Sequence, residues 1–382
     1  MPILHTLLTS VLYHLSSDVM QPATPHNPFI GFLLREWLPG LAAAGLVLTS
    51  LYIGALPDYS VAEIEVLGLL FALFVVVRGL EKSRLIEWVA WKMEQTGRPA
   101  LQLVLATFFL SMFITNDAAL VLLVPLGLTL PLQNRGLLVI LLALAANAGS
   151  ALTPLGNPQN LFIYWYYHLA PLTFIRTIAP FSLPYLLFLS GCAYFLPLSG
   201  EGSKARATVQ IQPVAWLYCL FFILLILTIL HILPPFAPLA VLVYSLIFDR
   251  HALRIDYGLL LSFFFFFGLA ENMKLLLATE IQHADHIFLF SALASQCISN
   301  VPAALLFAKF TSQWQALLWG TNVGGFGSLV GSLANLIAYR IYVRDATREE
   351  TGLFTLLFVV LGYLCFFLGV GLYTLSRHVI WK

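Results

Sequence analysis

Long apolar runs interrupted near their middle by small polar residues leave a chain few ways to fold, and this one carries such interruptions in two matching sets. Ile114-Thr115-Asn116-Asp117-Ala118-Ala119-Leu120 is echoed by Ile298-Ser299-Asn300-Val301-Pro302-Ala303-Ala304-Leu305. Further along each half, Asn147-Ala148-Gly149 through Gly156-Asn157-Pro158-Gln159-Asn160-Leu161 aligns without a gap to Asn322-Val323-Gly324 through Gly331-Ser332-Leu333-Ala334-Asn335-Leu336, each residue matched 175 positions later. Irregular backbone at membrane depth is tolerated only where protein buries it or where it lines a water-filled cavity. One set of interruptions per half points to a transporter binding site at the bilayer midplane.

Composition fixes the environment. With 60% hydrophobic residues, 10% charged residues and a mean hydropathy of +0.89, the chain has too little polar surface to cover a soluble domain. The apolar runs suit helices crossing a hydrocarbon core about 30 Å thick, not the alternating strands of an outer-membrane barrel. A formal net charge of +1 without a basic cluster argues against nucleic acid as a partner. Cys192, Cys219, Cys297 and Cys365 stand singly in apolar stretches without metal-ligand or redox spacing, and read as small buried hydrophobes.

The expected architecture is an all-α polytopic membrane protein with two inverted repeats, each holding a re-entrant helical hairpin and a discontinuous transmembrane helix, with about 10–11 spans in all. An N-terminal amphipathic segment occupies 1–36, the first repeat 37–197, a polar cytoplasmic linker 198–212 and the second repeat 213–382. Residues 1–17 lack a signal peptide's basic region and cleavage site, so the first span would act as the insertion signal. Spans are expected near 37–55, 61–79, 178–196, 214–232, 237–247, 258–270 and 354–373, with a surface-lying amphipathic stretch at 81–95. The run 101–132 is broken at Thr115-Asn116-Asp117 into arms too short to cross alone, which suggests the first hairpin, and Ser299-Asn300 marks the second. Pro154, Gly156 and Pro158 break the run 137–167, and Gly325 to Ser332 breaks its counterpart. With the N-terminus cytoplasmic, one side of this arrangement collects 14 Lys and Arg residues and the other 5, in line with the positive-inside rule.

At the tips, helix N-termini present free N–H groups and partial positive charge to a carboxylate or oxyanion. Unwound carbonyls with Ser, Thr and Asn oxygens suit a hard cation such as sodium. The substrate-binding candidates are Thr115, Asn116, Asp117, Asn157, Ser299, Asn300, Val301 and Ser332. Candidates for cation or proton coupling are Asp117, Asn116, Gly149, Thr153, Gly156, Asn300, Gly324, Ser328 and Gly331. Asp117 is the one acidic residue expected at the midplane, where an ionisable group is a functional hypothesis by default. The plain alternative makes the tips ordinary helix caps, with Asp117 an N-cap of the second arm, but recurrence in both halves argues for a site. No Lys or Arg is expected inside a span core, and Glu271, at a span end, reads as solvated. Phe263 to Phe267 read as lipid-facing or packed bulk, and His231, His251, His283 and His286 as interfacial residues without metal-ligand spacing.

At Phe113-Ile114-Thr115-Asn116-Asp117, Leu152-Thr153-Pro154-Leu155-Gly156-Asn157-Pro158-Gln159-Asn160, Asn322-Val323-Gly324-Gly325-Phe326-Gly327 and Gly331-Ser332-Leu333-Ala334-Asn335-Leu336-Ile337, the chain resembles the ion transporter superfamily. That superfamily groups arsenite permeases, sodium/proton antiporters of the same fold, and citrate and dicarboxylate symporters; the resemblance is strongest to small bacterial YbiR-type inner-membrane proteins. It implies that the tip residues contact substrate and cation, with Gly149, Gly156, Asn157, Gly324, Gly331 and Ser332 near the cations. It also implies a homodimer in which a transport domain moves like an elevator against a scaffold. The dicarboxylate branch has Ser-Asn-Thr at both tips, whereas here Asp117 and Val301-Pro302 replace the third hydroxyl. The Asn-Asp pair is similar to the arsenite permease pattern, which points to a small oxyanion or to proton coupling through Asp117.

The functional expectation is a secondary active transporter of a small inorganic or organic anion in the lipid bilayer of the bacterial inner membrane, coupled to sodium or protons and needing no other cofactor. The alternative is a sodium/proton antiporter. An enzyme is disfavoured because the spans hold no nucleophile with its base, no paired catalytic carboxylates and no metal motif.

Overall fold

The computed structural model describes residues 37–85, 87–88, 98–130, 134–196, 210–277, 284–344 and 346–380. The expected segments at 1–36 and most of 81–95 and 198–212 lie outside these residues. Within them every regular element is helical. In chain order they are α1 (Trp37–Ile53), α2 (Val61–Lys82), α3 (Pro99–Ile114), α4 (Asn116–Leu128), α5 (Arg135–Ser150), α6 (Pro158–Tyr166), α7 (Pro171–Tyr194) and α8 (Ala215–Ile229). There follow α9 (Leu239–Ile247), α10 (Tyr257–Leu277), α11 (Ala284–Ile298), α12 (Asn300–Ala308), α13 (Trp314–Gly324), α14 (Leu333–Val343) and α15 (Arg348–Ile380).

Local chemistry sets many of these boundaries. Ser60 opens α2 with a capping box, its hydroxyl taking the Glu63 N–H while the Glu63 carboxylate takes the Ser60 N–H. Asn157 caps α6 and Pro158 fills its first position, where a missing N–H does no harm. Ser332 caps α14 through the Ala334 N–H. The breaks fall where the sequence places them: Thr115 between α3 and α4, 151–157 between α5 and α6, Ser299 between α11 and α12, and 325–332 between α13 and α14.

Other expectations need correction. The run at 237–247 forms only the nine-residue α9, about 13 Å long at 1.5 Å per residue, because Pro234, Pro235 and Pro238 stop the helix from starting earlier. The last helix outruns its expected span at both ends, Arg348–Ile380 against 354–373. Cys365 is buried as read, but Cys192 and Cys297 are exposed. Three described helices are long and apolar enough to cross a membrane individually: Pro171–Tyr194, Tyr257–Leu276 and Glu349–Arg377. The exposed side chains of Leu51, Leu187, Phe195, Trp216, Phe248 and Phe367 leave an apolar exterior that only lipid or another protein can cover.

The helices pack as two groups. One is built from α1, α2, α8, α9 and α10; the other joins α3 to α7 with α11 to α15. They meet where α2 packs on α6 and α10 packs on α12. Phe263, Phe266 and Phe267 are buried, with Phe267 5.2 Å from the Phe162 ring of α6, while the exposed Phe264 stacks on Tyr59 at 4.6 Å.

Candidate functional site

The two tips share one backbone geometry. Thr115 has φ 76° and ψ 150°, Ser299 φ 75° and ψ 155°. This region is normally open only to glycine, so the surrounding structure must hold both residues there. The Thr115 hydroxyl accepts from the Ala118 N–H at 3.4 Å, and the tip is tied to the first break by the Asn116 N–H donating to Gly156 O at 3.0 Å.

The two breaks are braced alike. Thr153 donates its hydroxyl to Met112 O and accepts from the Gly156 N–H at 3.2 Å. Ser328 donates to Gln296 O at 3.0 Å and accepts from the Gly331 N–H at 2.9 Å. A Cβ on Gly149 would lie 2.2 Å from Phe108 O, and one on Gly324 would lie 2.4 Å from the Ser295 Cβ. These glycines therefore let each broken span lie against the first arm of its hairpin.

Four buried amides cross between the halves. Asn147 Nδ2 donates to Asn335 Oδ1 at 2.8 Å, and Asn322 Nδ2 donates to Asn160 Oδ1 at 2.9 Å. Asn147 Oδ1 also accepts from Asn116 Nδ2 at 3.2 Å and from the Ser332 hydroxyl at 3.0 Å. The first tip, the first break and the second break thus converge on one amide oxygen.

In front of this network lies a cavity of about 240 Å³. The N-terminal ends of α4, α6, α12 and α14 all reach it, through Asn116 and Asp117, Asn157 and Pro158, Ser299 and Asn300, and Ser332 and Leu333. Four helix N-termini aimed at one small space make an electropositive site for oxygen-rich anions. Asp117 lines the same space, and its Oδ1 is buried without a hydrogen-bond partner. An unpartnered buried carboxylate oxygen is costly, so this group is well placed to take up a proton or a cation.

Of the expected substrate-binding residues, Asn116, Asp117, Asn157, Ser299, Asn300, Val301 and Ser332 line the cavity, while Thr115 sits behind them as a cap. Gly149, Thr153, Gly156, Gly324, Ser328 and Gly331 lie in or beside the breaks as packing and bracing residues, outside the cavity wall. Sequence reasoning missed Arg340 and Asp256, two exposed residues of that wall. It also missed Asn335 and Asn160 as bracing partners, although both belong to the aligned blocks. Among the described residues, no three His, Cys, Asp or Glu side chains gather as a metal site.

A second polar cluster lies where the two helix groups meet. Lys309, at the end of α12, has its Nζ 2.7 Å from Glu63 Oε1 and 2.7 Å from Glu271 Oε2. Glu63 is fully buried and the Lys309 side chain is 4% exposed. Glu271 is therefore paired and mostly buried, not solvated, and a lysine does stand inside the protein, admitted there by two carboxylates.

Comparison with known proteins places this chain among transporters. A family described as "Citrate transporter" matches residues 29–319. An uncharacterized transporter of Methanocaldococcus jannaschii is 31% identical over 294 residues, covering 74% of this chain and 82% of the relative. The inner membrane protein YbiR of Escherichia coli is 35% identical over 296 residues, 71% of this chain and 78% of its own. The silicon efflux transporter of Oryza sativa subsp. japonica is 33% identical over 187 residues, 46% of this chain and 38% of its own.

Proposed function

The chain belongs to the citrate transporter family, and from that premise we propose that it moves a small anion, an oxyanion or a carboxylate, across the bacterial inner membrane by secondary active transport coupled to sodium or protons. The observation that supports this most is the convergence of four helix N-termini on one cavity that also holds the buried Asp117 carboxyl. The helix ends attract the anion, and Asp117 takes the coupling proton or faces the coupling cation.

In this reading the matched tips and breaks are two inverted repeats, and the tips are re-entrant. The group that supplies the four helix N-termini moves as a transport domain against α1, α2, α8, α9 and α10, within a homodimer. The cavity mouth at Arg340 and Asp256 faces the cytoplasm, the side that also receives the N-terminus and most of the basic residues. Lys309 with Glu63 and Glu271 closes the opposite side.

A second reading, sodium/proton exchange without an anionic substrate, has its own support: two carboxylates, Asp117 and Asp256, line the cavity against one arginine. Thermal stability of the detergent-purified protein separates the two. A ligand that binds only the folded state raises the melting temperature. Citrate, orthosilicic acid, phosphate, arsenate and short carboxylates are titrated with and without sodium at two pH values. Stabilisation by an anion, dependent on sodium or pH, supports the symporter reading. Stabilisation by sodium or pH alone supports the exchanger.

A further inference from the structure

The cavity wall contains one group that the helix ends do not explain. Arg340 belongs to α14, lines the cavity together with Asp117, and forms no side-chain hydrogen bond or ion pair with any described residue. Asp256 does not neutralise it: Asp256 Oδ1 accepts from the Leu259 N–H at 2.9 Å, capping α10. Asp117 is also uncommitted on its side chain. Its own N–H donates to Asn116 Oδ1 at 3.0 Å, while its buried Oδ1 has no partner. The cavity thus holds an unpaired guanidinium fork and an unpaired carboxyl.

These two groups ask for different things of a ligand. A guanidinium presents five N–H donors in a planar fork that matches two oxygens of an ionised group. An ionised carboxylate can only accept, so it needs a donor on the ligand. We infer that the site selects an anion of single charge that keeps a hydroxyl or acid hydrogen, its ionised oxygens on Arg340 and its O–H donating to Asp117. The class is the short hydroxycarboxylates and the partly protonated tetrahedral oxyanions. This rests on the anion-transport reading above and narrows it. Fully deprotonated sulfate, or a carboxylate without a hydroxyl, leaves the carboxylate without a donor, and a site built to hydrogen-bond a substrate hydroxyl rejects the analogue lacking it.

The plain alternative for Arg340 is a solvated charge in the last turn of α14, complementing the helix dipole. Arg340→Lys keeps that charge and removes the fork, so it distinguishes the two roles. The test is titration of the full-length protein in detergent, followed by thermal stabilisation, with two matched pairs: glycolate against acetate, and phosphate against sulfate at neutral pH, where the singly charged phosphate that keeps two hydrogens is still abundant. The hydroxyl-bearing member of at least one pair should bind about tenfold more tightly or better. Arg340→Lys should weaken that binding by about tenfold and leave the ligand-free melting temperature unchanged. Asp117→Ala should erase the preference within the pair. Acetate and sulfate binding as tightly as their partners, unaltered binding in Arg340→Lys, or equal binding of uncharged orthosilicic acid would each overturn this inference while leaving transport standing. Absence of binding by all four anions would overturn it, and absence of binding by citrate and arsenate as well would overturn the anion-transport reading.

Discussion

Asn147 and Asn335, 188 residues apart in the chain, are joined by a 2.8 Å hydrogen bond between their buried amides, and Asn322 and Asn160 by one of 2.9 Å. The two bonds run in complementary directions, each from the helix before a break to the helix after the other break. They fasten the broken spans to one another without any regular backbone pairing.

Asn335→Ala should therefore destabilise the protein by about 1–3 kcal/mol, because it leaves the Asn147 amide buried and partly unpaired. The double variant Asn147→Ala with Asn335→Ala should show a coupling of at least about 0.5 kcal/mol in a denaturation cycle. Strict additivity would mean that the bond contributes nothing.

Gly149→Ala and Gly324→Ala should each cost about 1–3 kcal/mol through overpacking, since the added methyl meets the Phe108 carbonyl at 2.2 Å or the Ser295 Cβ at 2.4 Å. Gly191, in α7, has nothing within 4 Å of the same methyl. Gly191→Ala should be neutral or stabilising by up to about 1 kcal/mol, as helix propensity favours alanine. Thermal melts of the three variants side by side check both expectations.

Lys309→Met strips the fully buried Glu63 of its cation. The expected loss is about 3–5 kcal/mol. Lys309→Met combined with Glu63→Gln and Glu271→Gln should recover part of it, because the penalty comes from uncompensated charge more than from a missing bond. A triple variant no more stable than the single one would show that the cluster matters through packing.

Asp249 gives a pH signature outside the spans. Burial raises its pKa, but hydrogen bonds from Lys82 Nζ at 2.9 Å and from the Tyr218 hydroxyl at 2.9 Å outweigh this and hold it below the ordinary aspartate value. A carboxyl depressed in the folded state adds stability above its unfolded pKa of about 3.9, and that stability disappears as pH falls through the lower folded value. Asp249→Asn should thus be less stable than the parent at neutral pH, with the gap closing in acid. A gap independent of pH would remove the ionic explanation.

Much of this architecture was legible in the sequence because breaks in apolar runs have local causes. Pro154 and Gly156 lie in the break after α5, Pro158 opens α6, and the Thr115-Asn116 and Ser299-Asn300 tips recur. What was not legible depends on partners distant in the chain. Lys309 resembled an ordinary surface lysine, since nothing near it reveals Glu63 and Glu271. Arg340 is one of the 14 basic residues expected on one side of the membrane, and that count does not reveal that it lies two turns into a helix that starts at the cavity. One signal could have found it: counting from the Ser332 cap, position 340 is still within an 11-residue helix whose first turn is in the site.

Gradient-driven uptake into proteoliposomes tests the central claim most directly. Purified protein is reconstituted, an inward sodium or proton gradient is imposed, and entry of labelled phosphate, glycolate or citrate is followed for the parent and for Asp117→Asn. The account predicts concentrative uptake of at least one anion that collapses when the gradient is dissipated, and loss of gradient coupling in Asp117→Asn, which keeps the side chain's shape without its titratable charge. Sodium or proton movement with no anion entry, or undiminished coupling in Asp117→Asn, would contradict it.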